Sequence, residues 1–427
     1  MSIHNHNTPW LRGAEEFRGQ RLLPHVIDYH AHNDPNRVFN SMPRTQNVAD
    51  GFRDVDMKTM ATAVDFMAWW LDGHSKDVPK EKKVLAYVGV PDIRYPVLLF
   101  AAIKAGWTKL AGTMAFMVIP TFSTTATAVW GPSTMPPSGQ LVNSITNQTT
   151  VRALYLPPST IEQWWTCDPD ARKKAEGLDF VLFGGGPLAP SVGQKLSELT
   201  DLCQMYGSIE SGQIQMLVPH PGEWQYLEPN PAEECDMQEV EESPGLYELV
   251  LHQDEKFRGR RTLSHTFPDV KEWRTKDLFT PHPTKAGLWQ FHSRTDDLIA
   301  LGTSAKVFPV PMETALQGDP SIAGALVVGN ARPAVVLIIE PVQSVSDENK
   351  EKFVDKIWPS VVKANAAAPT QGKISRSRIL LTDPAVGFAR TPKGTIARKK
   401  SEALYTAAID AVFRDGIVNE NILTGAF

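Results

Sequence analysis

The stretch LDFVLFGGGPLAPSVGQKLSELTDL, residues 178–202, constrains the fold of this chain more than any other. Its apolar residues Phe180 to Phe183 predict a buried strand, which continues through three consecutive glycines into an amphipathic helix. An earlier stretch has the same order, because KVLAYVGV, residues 83–90, predicts a strand and VLLFAAIKAGW, residues 97–107, predicts a helix. Strands that alternate with helices favour a mostly parallel sheet covered by helices.

The residue pattern changes after Leu246, where short segments rich in strand-forming residues are separated by proline and glycine. LYELVLHQ and GLWQFHS predict antiparallel strands, and GALVVGNARPAVVLIIEP predicts two strands around a turn at Asn330. Helices are predicted in KEKFVDKIWPSVVKANA and SEALYTAAIDAVF, and a solvated loop in the acidic PAEECDMQEVEES. We therefore expect an α/β protein with a large N-terminal domain, residues 1–293, of mainly parallel sheets and helices, and a small mobile C-terminal α+β domain, residues 294–427.

Composition places the chain among globular proteins of the cytoplasm. Its 427 residues are 42% hydrophobic and 21% charged, with a net charge of −5, so nucleic-acid and anionic-membrane partners are not expected. Three scattered cysteines favour a reducing compartment over a disulfide framework. The longest apolar run, YPVLLFAAIKAGW, is interrupted by Lys104 and too short to span a bilayer, and the N-terminus lacks the apolar core of a signal peptide.

The stretch CQMYGSIESGQ, residues 203–213, places one acid, Glu210, among turn-forming glycines and serines. It could be a surface turn whose carboxylate is merely solvated. It could also be a loop whose hydroxyl and backbone N–H groups face phosphate oxygens while the carboxylate binds a divalent cation. The choice depends on the rest of the chain.

Five motifs occur in a recognisable order. They are FGGGPL (183–188), MYGSIESG (205–212), WRTKDLF (273–279), SRTDDLIALGTSAKVFPVPMET (293–314) and FARTPKGTIAR (388–398). Together they resemble the adenylate-forming superfamily of acyl-CoA synthetases, luciferases and nonribosomal peptide synthetase adenylation domains. The similarity is greatest to the adenylation domain of fungal synthetase-like (NRPS-like) carboxylic acid reductases, and it runs from about His25 to Arg398. Five ordered motifs are far more specific than any one of them.

The resemblance implies nucleotide contacts in the first two motifs. Gly184, Gly185 and Gly186 would line the adenine, because the absence of side chains lets a flat ring approach the backbone. A strand-to-helix turn would also explain these glycines, and both interpretations can hold together. In the second motif, Tyr206 and Gly207 would contact AMP or ATP, Ser208 would hydrogen-bond a phosphate oxygen, and Glu210 would hold a Mg²⁺ ion that bridges the phosphates.

The next two motifs would bind the ribose and form a hinge. The resemblance assigns Asp277 to both ribose hydroxyls, Arg294 to the ribose as well, and Asp296 to the hinge about which the small domain rotates. The alternative for Asp277 is a surface ion pair with Arg274 or Lys276.

Lys393 is the catalytic lysine that the last motif implies. Its ammonium would offset the negative charge that builds up where the carboxylate attacks the α-phosphate. The lysine precedes the glycine in TPKGT, as in the fungal reductase-like branch. The alternative is an exposed basic loop made of Arg390, Arg398, Lys399 and Lys400.

One signature of the superfamily is missing from the sequence. A Ser/Thr/Gly-rich phosphate loop that ends in Pro-Lys should precede the triple glycine, but the Ser/Thr cluster in FSTTATAVWGPSTMPPSG contains no lysine. The sequence passes from KAGWTKL directly to AGTMAFMVIPTF, which predicts an internal deletion near Leu110. A misassigned exon boundary, a genuine deletion or adaptation to another task would each explain it. Loss of the loop removes backbone donors and a cation from the β- and γ-phosphates, so activity is doubtful without it.

The resemblance implies activation of a carboxylic acid by ATP to acyl-AMP and pyrophosphate, then transfer to a phosphopantetheine thiol. No acidic residue lies between Ile93 and Ile161, which favours an aryl or aliphatic acid over an α-amino acid. No carrier segment follows Arg398, so we expect the thiol to belong to a separate carrier protein or to CoA.

Two other functions stay open at this point. The chain could be a catalytically impaired remnant that binds nucleotides or partner proteins. It could also be a metal-dependent hydrolase, because His30 and His32 form an H-x-H pair near Asp28 and Asn33. The stretch VIDYHAHNDPNRVF, residues 26–39, also resembles the superfamily's first helix and following strand.

Overall fold

The computed structural model describes residues 23–74, 84–86, 92–106, 108–110, 127–135, 137–208, 210–255, 261–303, 305–391 and 394–423. These residues form two compact units. The first contains the described residues up to Pro137 together with Ser144–Thr150, and the second contains Ser138–Asn143 and the residues from Val151 onward. The domain boundary predicted between residues 293 and 294 lies inside the second unit and stays a prediction.

The first unit combines helices with short sheets. Its elements are α1 (Leu23–Asn33), β1 (Val38–Pro43), β2 (Phe52–Asp56), α2 (Met57–Gly73), β3 (Val84–Ala86), α3 (Arg94–Lys104), β4 (Thr108–Leu110) and β5 (Ala128–Val129). β1 pairs with β2 antiparallel and with β5 parallel, and β3 pairs with β4 parallel. The predicted βα unit is thus β3 followed by α3. Phe39, Met60 and Phe100 lie in its core.

The second unit begins with a parallel α/β layer. Its elements are α4 (Gly139–Gln148), which has residues in both units, β6 (Ala153–Leu156), α5 (Pro158–Cys167), α6 (Ala171–Glu176), β7 (Phe180–Gly184), α7 (Pro190–Ser197), β8 (Asp201–Ser208) and β9 (Gly212–Ile214). The strand order is β6-β7-β8-β9, parallel except for the β8–β9 hairpin. Trp164 lies at the centre of the core, and its indole N–H donates to Asp168 Oδ2 at 2.9 Å. The strand and helix predicted around the triple glycine are confirmed.

An antiparallel sheet follows, as predicted. Its strands are β10 (Met216–Leu217), β11 (Tyr226–Pro229), β12 (Cys235–Glu239), β13 (Tyr247–His252), β14 (Glu272–Pro281) and β15 (Trp289–Arg294), with a short helix α8 (Leu263–Thr266) before β14. The prediction of a solvated loop at residues 231–243 is wrong, because β12 lies within it and pairs with β13. Cys235 and Met237 pack against the core, and the polar Asp236 and Gln238 alternate with them in the sequence. This alternation is typical of a strand, but the many acids around it make the segment resemble a solvated loop.

The remaining residues form a two-stranded sheet and a three-stranded sheet that has helices on both faces. The elements are β16 (Ile299–Ala300), β17 (Lys306–Val307), α9 (Pro309–Gln317), β18 (Ile322–Val328), β19 (Val336–Pro341), α10 (Lys350–Ala366), β20 (Ile379–Leu381), α11 (Arg398–Leu404) and α12 (Thr406–Leu423). β16 pairs with β17, and the three-stranded sheet has the order β18-β19-β20. Met312 and Ile357 cover one face, and Tyr405 and Ile409 cover the other. The helix predicted at residues 401–413 is two helices that meet at Tyr405, whose hydroxyl donates to Gly387 O at 2.8 Å.

The α/β fold class is confirmed, with parallel, antiparallel and mixed sheets in one chain. Across the described ranges, every helix is too short or too polar to cross a bilayer.

Candidate functional site

Two neighbouring strands bring the first two motifs to one edge of a sheet. β7 and β8 run parallel with Gly184 opposite Met205, so the glycine turn and Tyr206 leave the sheet side by side. A Cβ on Gly184 would lie 3.0 Å from the Met205 carbonyl oxygen, and Gly185 has φ 91°, which favours glycine. Backbone geometry therefore explains these two glycines. Gly186 is different, since a Cβ there would meet no atom within 4 Å.

The stretch around Glu210 is a hairpin rather than a long loop. β8 extends to Ser208 and β9 begins at Gly212, and a Cβ on Gly207 would lie 2.3 Å from the Gly212 carbonyl oxygen. Ser208 closes the turn, because its hydroxyl accepts from the Ser211 N–H at 3.1 Å and its own N–H donates to Ser211 Oγ at 3.2 Å. Glu210 lies exposed in the turn.

Glu210 presents a single exposed carboxylate at this turn. In the part of the chain that the structure describes, no group of three or more His, Cys, Asp and Glu side chains could hold a metal by itself. Mg²⁺ often uses only one or two protein carboxylates and completes its coordination with water and substrate phosphates. An exposed carboxylate beside the Ser208 turn suits that arrangement, and the Mg²⁺ role of Glu210 stays a prediction.

Tyr206, Asp277 and Arg294 form one hydrogen-bonded cluster. The Tyr206 hydroxyl donates to Asp277 Oδ2 at 2.6 Å, and Arg294 Nη1 donates to Asp277 Oδ1 at 2.7 Å. Arg294 Nε also donates to Asp296 Oδ1 at 2.9 Å. Asp277 and Arg294 are register partners on β14 and β15, and Tyr206 reaches them from β8. Four predicted site residues from three motifs are thereby brought together.

Burial dominates the electrostatics of this cluster. It raises the pKa of the Asp277 carboxyl above its ordinary value, although the hydrogen bond from Tyr206 and the charge of Arg294 act in the opposite direction. Burial also raises the pKa of Tyr206, and the Asp277 charge adds to the rise. Each Asp277 oxygen already has one donor and keeps a second lone pair. The carboxylate is therefore fixed in place while it can still accept two hydrogen bonds.

A bulge in β14 orients Asp277. The register between β13 and β14 shifts there, and Lys276 has φ 64°, in the left-handed region that favours glycine. Glu248 on β13 supports the bulge, since its Oε1 accepts from the Lys276 N–H at 2.9 Å and its Oε2 accepts from Arg274 Nη1 at 3.0 Å. No sequence pattern indicated Glu248, because its role depends on the pairing of two strands.

The alternative ion pair for Asp277 is wrong. Arg274 turns to Glu248 and Glu272, and the Lys276 ammonium lies 3.8 Å from Asp296. Asp277 is 9% exposed and pairs with Arg294 instead, because the bulge directs successive side chains of β14 to different partners.

A cavity of about 850 Å³ lies beside this cluster, within the second unit. Gly185, Gly186 and Arg294 line it, whereas Gly184, Tyr206, Gly207, Ser208, Glu210, Asp277 and Asp296 are not among the described residues that do so. Further lining comes from α5, α7, α9 and residues 390–398. The cavity thus joins the glycine turn to the segment that carries the last motif.

Lys393 lies outside the described residues, but both sides of its loop are described. Arg390 Nη1 donates to Gly394 O at 3.0 Å, and the Thr391 and Thr395 hydroxyls lie 2.7 Å apart. Arg390 and Gly394 line the cavity.

The alternative of an exposed basic loop is wrong for Arg398, which is half-buried and donates to Glu313 at 2.6 Å and to the Val327 carbonyl oxygen at 3.0 Å. Arg390, Lys399 and Lys400 are exposed, and Arg390 pairs with Glu340.

The sequence motifs assign no role to one acid at the cavity. Glu162 on α5 lines it, and its Oε1 accepts from the Ala189 N–H at 2.9 Å. Burial raises the pKa of Glu162 to about 7, with no cation among the causes. The acid-free stretch of the sequence ends at Ile161, one residue earlier, and the helical spacing of Ser159 and Glu162 is the pattern that places both on one side of α5.

The H-x-H pair does not form a metal site. His30 and His32 lie on α1 rather than at the end of a barrel strand, and His30 is buried while His32 is exposed. Side chains two residues apart on a helix point in different directions. The predicted first helix and following strand are instead α1 and β1.

Comparisons with known proteins show the family of the chain rather than the roles of its individual site residues. Residues 296–416 match the sequence profile of the family described as AMP-binding enzyme C-terminal domain. The chain is 34% identical over 289 residues to a carboxylic acid reductase of Neurospora crassa, which covers 66% of this chain and 27% of the relative. It is 32% identical over 320 residues to the adenylate-forming reductase Nps11 of Serpula lacrymans, which covers 71% of this chain and 28% of the relative. The chain thus spans little more than a quarter of the length of these relatives.

The fold comparison leads to the same group. The A-PCP didomain of a carboxylic acid reductase from Segniliparus rugosus, solved in complex with AMP, superimposes with a TM-score of 0.68 at 12% identity. The match covers 94% of this chain and 84% of that chain. The chain belongs to the adenylate-forming, AMP-binding superfamily, and it is similar to part of fungal carboxylic acid and adenylate-forming reductases.

Proposed function

We propose that this chain activates a small aryl or aliphatic carboxylic acid, rather than an α-amino acid, with ATP. The reaction gives an acyl-AMP and pyrophosphate, and the acyl group then passes to the phosphopantetheine thiol of a separate carrier protein or of CoA. The setting we propose is the cytoplasm of a fungus, in the synthesis of a secondary metabolite.

The observation that carries this proposal is the cluster of Tyr206, Asp277 and Arg294 beside the glycine turn. A fixed carboxylate that keeps two lone pairs suits the two hydroxyls of a ribose. Gly186 and Arg294 both line the cavity, and Gly186 leaves open space there, which suits the flat face of an adenine. The glycine turn and Tyr206 lie at the carboxyl ends of the parallel strands β7 and β8, where open α/β sheets commonly bind ligands.

In this proposal the remaining residues act on the phosphates. Ser208 donates its hydroxyl to a phosphate oxygen, and Glu210 holds Mg²⁺, which neutralises phosphate charge when it is bound. Lys393 offsets the charge that develops when the carboxylate oxygen attacks the α-phosphorus and the bond to pyrophosphate breaks. Asp296 serves as the hinge of a mobile domain that begins at residue 294.

The sequence lacks a recognisable phosphate loop, and residues 111–126, next to the predicted deletion, lie outside the described residues. An absent loop favours a second candidate function. Loss of a single oxyanion-type donor costs about 3 kcal/mol of transition-state stabilisation, so a chain without the whole loop would turn over very slowly. The adenosine contacts do not depend on that loop. A catalytically impaired protein that still binds nucleotides is therefore the alternative.

Two measurements on the full chain separate these candidates. Calorimetric titration with AMP and ATP measures nucleotide binding, and ATP–pyrophosphate exchange with a panel of carboxylic acids measures activation. Binding with acid-dependent exchange supports the enzyme, and binding without exchange supports the remnant. A preference for α-amino acids in the exchange assay contradicts the proposed substrate class. A folded chain that binds neither nucleotide contradicts both functions.

A further inference from the structure

Glu162 differs from the other acidic residues that line the cavity. Asp297 and Glu313 pair with Arg398, and Asp319 accepts from the Ser360 hydroxyl at 2.7 Å. Glu162 uses Oε1 for the Ala189 N–H, and no described residue forms a hydrogen bond or ion pair with Oε2. One carboxylate oxygen is therefore left for a ligand.

The position of Glu162 on α5 directs it to the cavity. Ser159, Glu162 and Thr166 recur at helical spacing, and all three line the cavity. The opposite side of α5 carries Ile161 and Trp164, which are fully buried in the core. The Ala189 N–H, which donates its hydrogen bond to Glu162, lies just after the glycine turn at the start of α7. Glu162 thus links the cavity wall to the segment where we propose that adenine binds.

We propose that Glu162 selects the substrate, and that the chain takes carboxylic acids whose body carries a hydroxyl or amino hydrogen-bond donor. This inference rests on the proposed function. Glu162 is half-buried and lines the cavity, so a ligand that fills the cavity takes Oε2 out of water. An acceptor left unpaired in this way is costly, so a ligand that supplies a donor is favoured over one of the same size that does not.

Glu162 accepts at Oε2 only as the ionised carboxylate, because a proton on Oε2 would make that oxygen a donor. Burial raises the pKa of Glu162 to about 7, so part of the protein population carries the carboxylate near neutral pH.

The experiment uses stable acyl-sulfamoyl-adenosine analogues, whose binding requires no turnover. Benzoyl, hydroxybenzoyl, aminobenzoyl and methoxybenzoyl analogues, with each substituent at the ortho, meta and para positions, are titrated into the full chain by calorimetry. At one or more ring positions, we expect the hydroxyl or amino analogue to bind at least about tenfold more tightly than the unsubstituted one. A phenylalanyl analogue tests the α-amino class, and its tight binding would contradict the proposed substrate class.

The Glu162→Gln variant gives the sharpest contrast. Its amide oxygen can still accept from Ala189, while its NH₂ group now presents a donor to the cavity. The preference should invert, with donor-bearing analogues weakened about tenfold and the methoxy analogue strengthened. Glu176→Gln, an exposed change on α6, is the matched control and should keep the wild-type preference.

The possible outcomes distinguish a failure of the proposed function from a failure of the role of Glu162. If neither AMP nor any analogue binds the folded wild-type chain, the proposed function fails. If the analogues bind but hydroxyl, amino and unsubstituted forms bind equally, or if Glu162→Gln keeps the wild-type order, the role of Glu162 fails while the proposed function stands.

Discussion

Tyr206 donates its phenolic hydrogen bond to Asp277 at 2.6 Å, although 71 residues of chain separate them. The contact joins the end of a parallel strand to a bulge in an antiparallel sheet. It orients the carboxylate to which we assign the ribose.

Removal of the Tyr206 hydroxyl should weaken both the fold and the site. In Tyr206→Phe, Asp277 Oδ2 loses its donor while it stays largely buried, which costs about 1–3 kcal/mol of unfolding free energy. AMP affinity should also fall, because the carboxylate is less fixed. Chemical denaturation and AMP titration measure the two effects. Tyr247→Phe is the control, since no described residue hydrogen-bonds the Tyr247 hydroxyl, and equal effects of the two changes would refute the role of Tyr206.

Lys276 occupies a backbone conformation that suits glycine. At φ 64°, Lys276→Gly should raise the unfolding free energy by about 1 kcal/mol, since the strain of a Cβ in the left-handed region disappears. Lys276→Ala keeps the Cβ and removes only the ammonium, so it should not stabilise the chain. Denaturant midpoints of both variants test this. Stabilisation by alanine as large as that by glycine would show that charge, not strain, is the cause.

Glu248 should support nucleotide binding without touching the nucleotide. Glu248→Ala removes the acceptor for the Lys276 N–H, so the bulge relaxes and we expect AMP affinity to fall about tenfold, the effect of losing about 1.4 kcal/mol. Because glycine adopts the left-handed conformation without support, the second change Lys276→Gly should restore most of the affinity. A double-mutant cycle of AMP titrations measures the coupling. Additive effects, with no rescue, would mean that Glu248 contributes only general stability.

Glu162 makes the stability of the chain depend on pH. Its pKa is about 7 in the folded chain and near 4.5 in an unfolded one. The folded state therefore binds the extra proton between these values, and stability relative to Glu162→Gln falls as the pH rises through that interval. Below pH 4.5 the two proteins should differ by a constant amount, and above pH 7 the variant should have gained up to about 3 kcal/mol. Urea titrations at several pH values measure this difference, and parallel curves for the two proteins would contradict it.

Local sequence patterns predicted those helices and strands whose apolar residues have a clear helical or strand spacing. The apolar run before the triple glycine gave β7, and the spacing of Val192 and Leu196 gave α7. β12 was missed because the acids around Cys235 and Met237 resemble a solvated loop when the partner strand is not known.

The sequence motifs predicted those site residues that lie within the motifs themselves. Tyr206, Asp277, Arg294 and Asp296 form one connected cluster. The role of Glu248 was not accessible from the sequence, because it acts through strand register. Helical spacing places Glu162 on the same side of α5 as Ser159, but the cavity that this side faces is assembled from distant segments and is seen only in the fold.

The most direct test of the central claim is the calorimetric titration of AMP into the full-length chain and into Asp277→Ala. Wild-type protein should bind one AMP, and the variant should lose at least about tenfold in affinity, since the carboxylate that we assign to the two ribose hydroxyls is gone. Circular dichroism must show that both proteins are folded. No AMP binding by folded wild-type protein, or equal binding by the two proteins, would contradict the assignment of this site to a nucleotide.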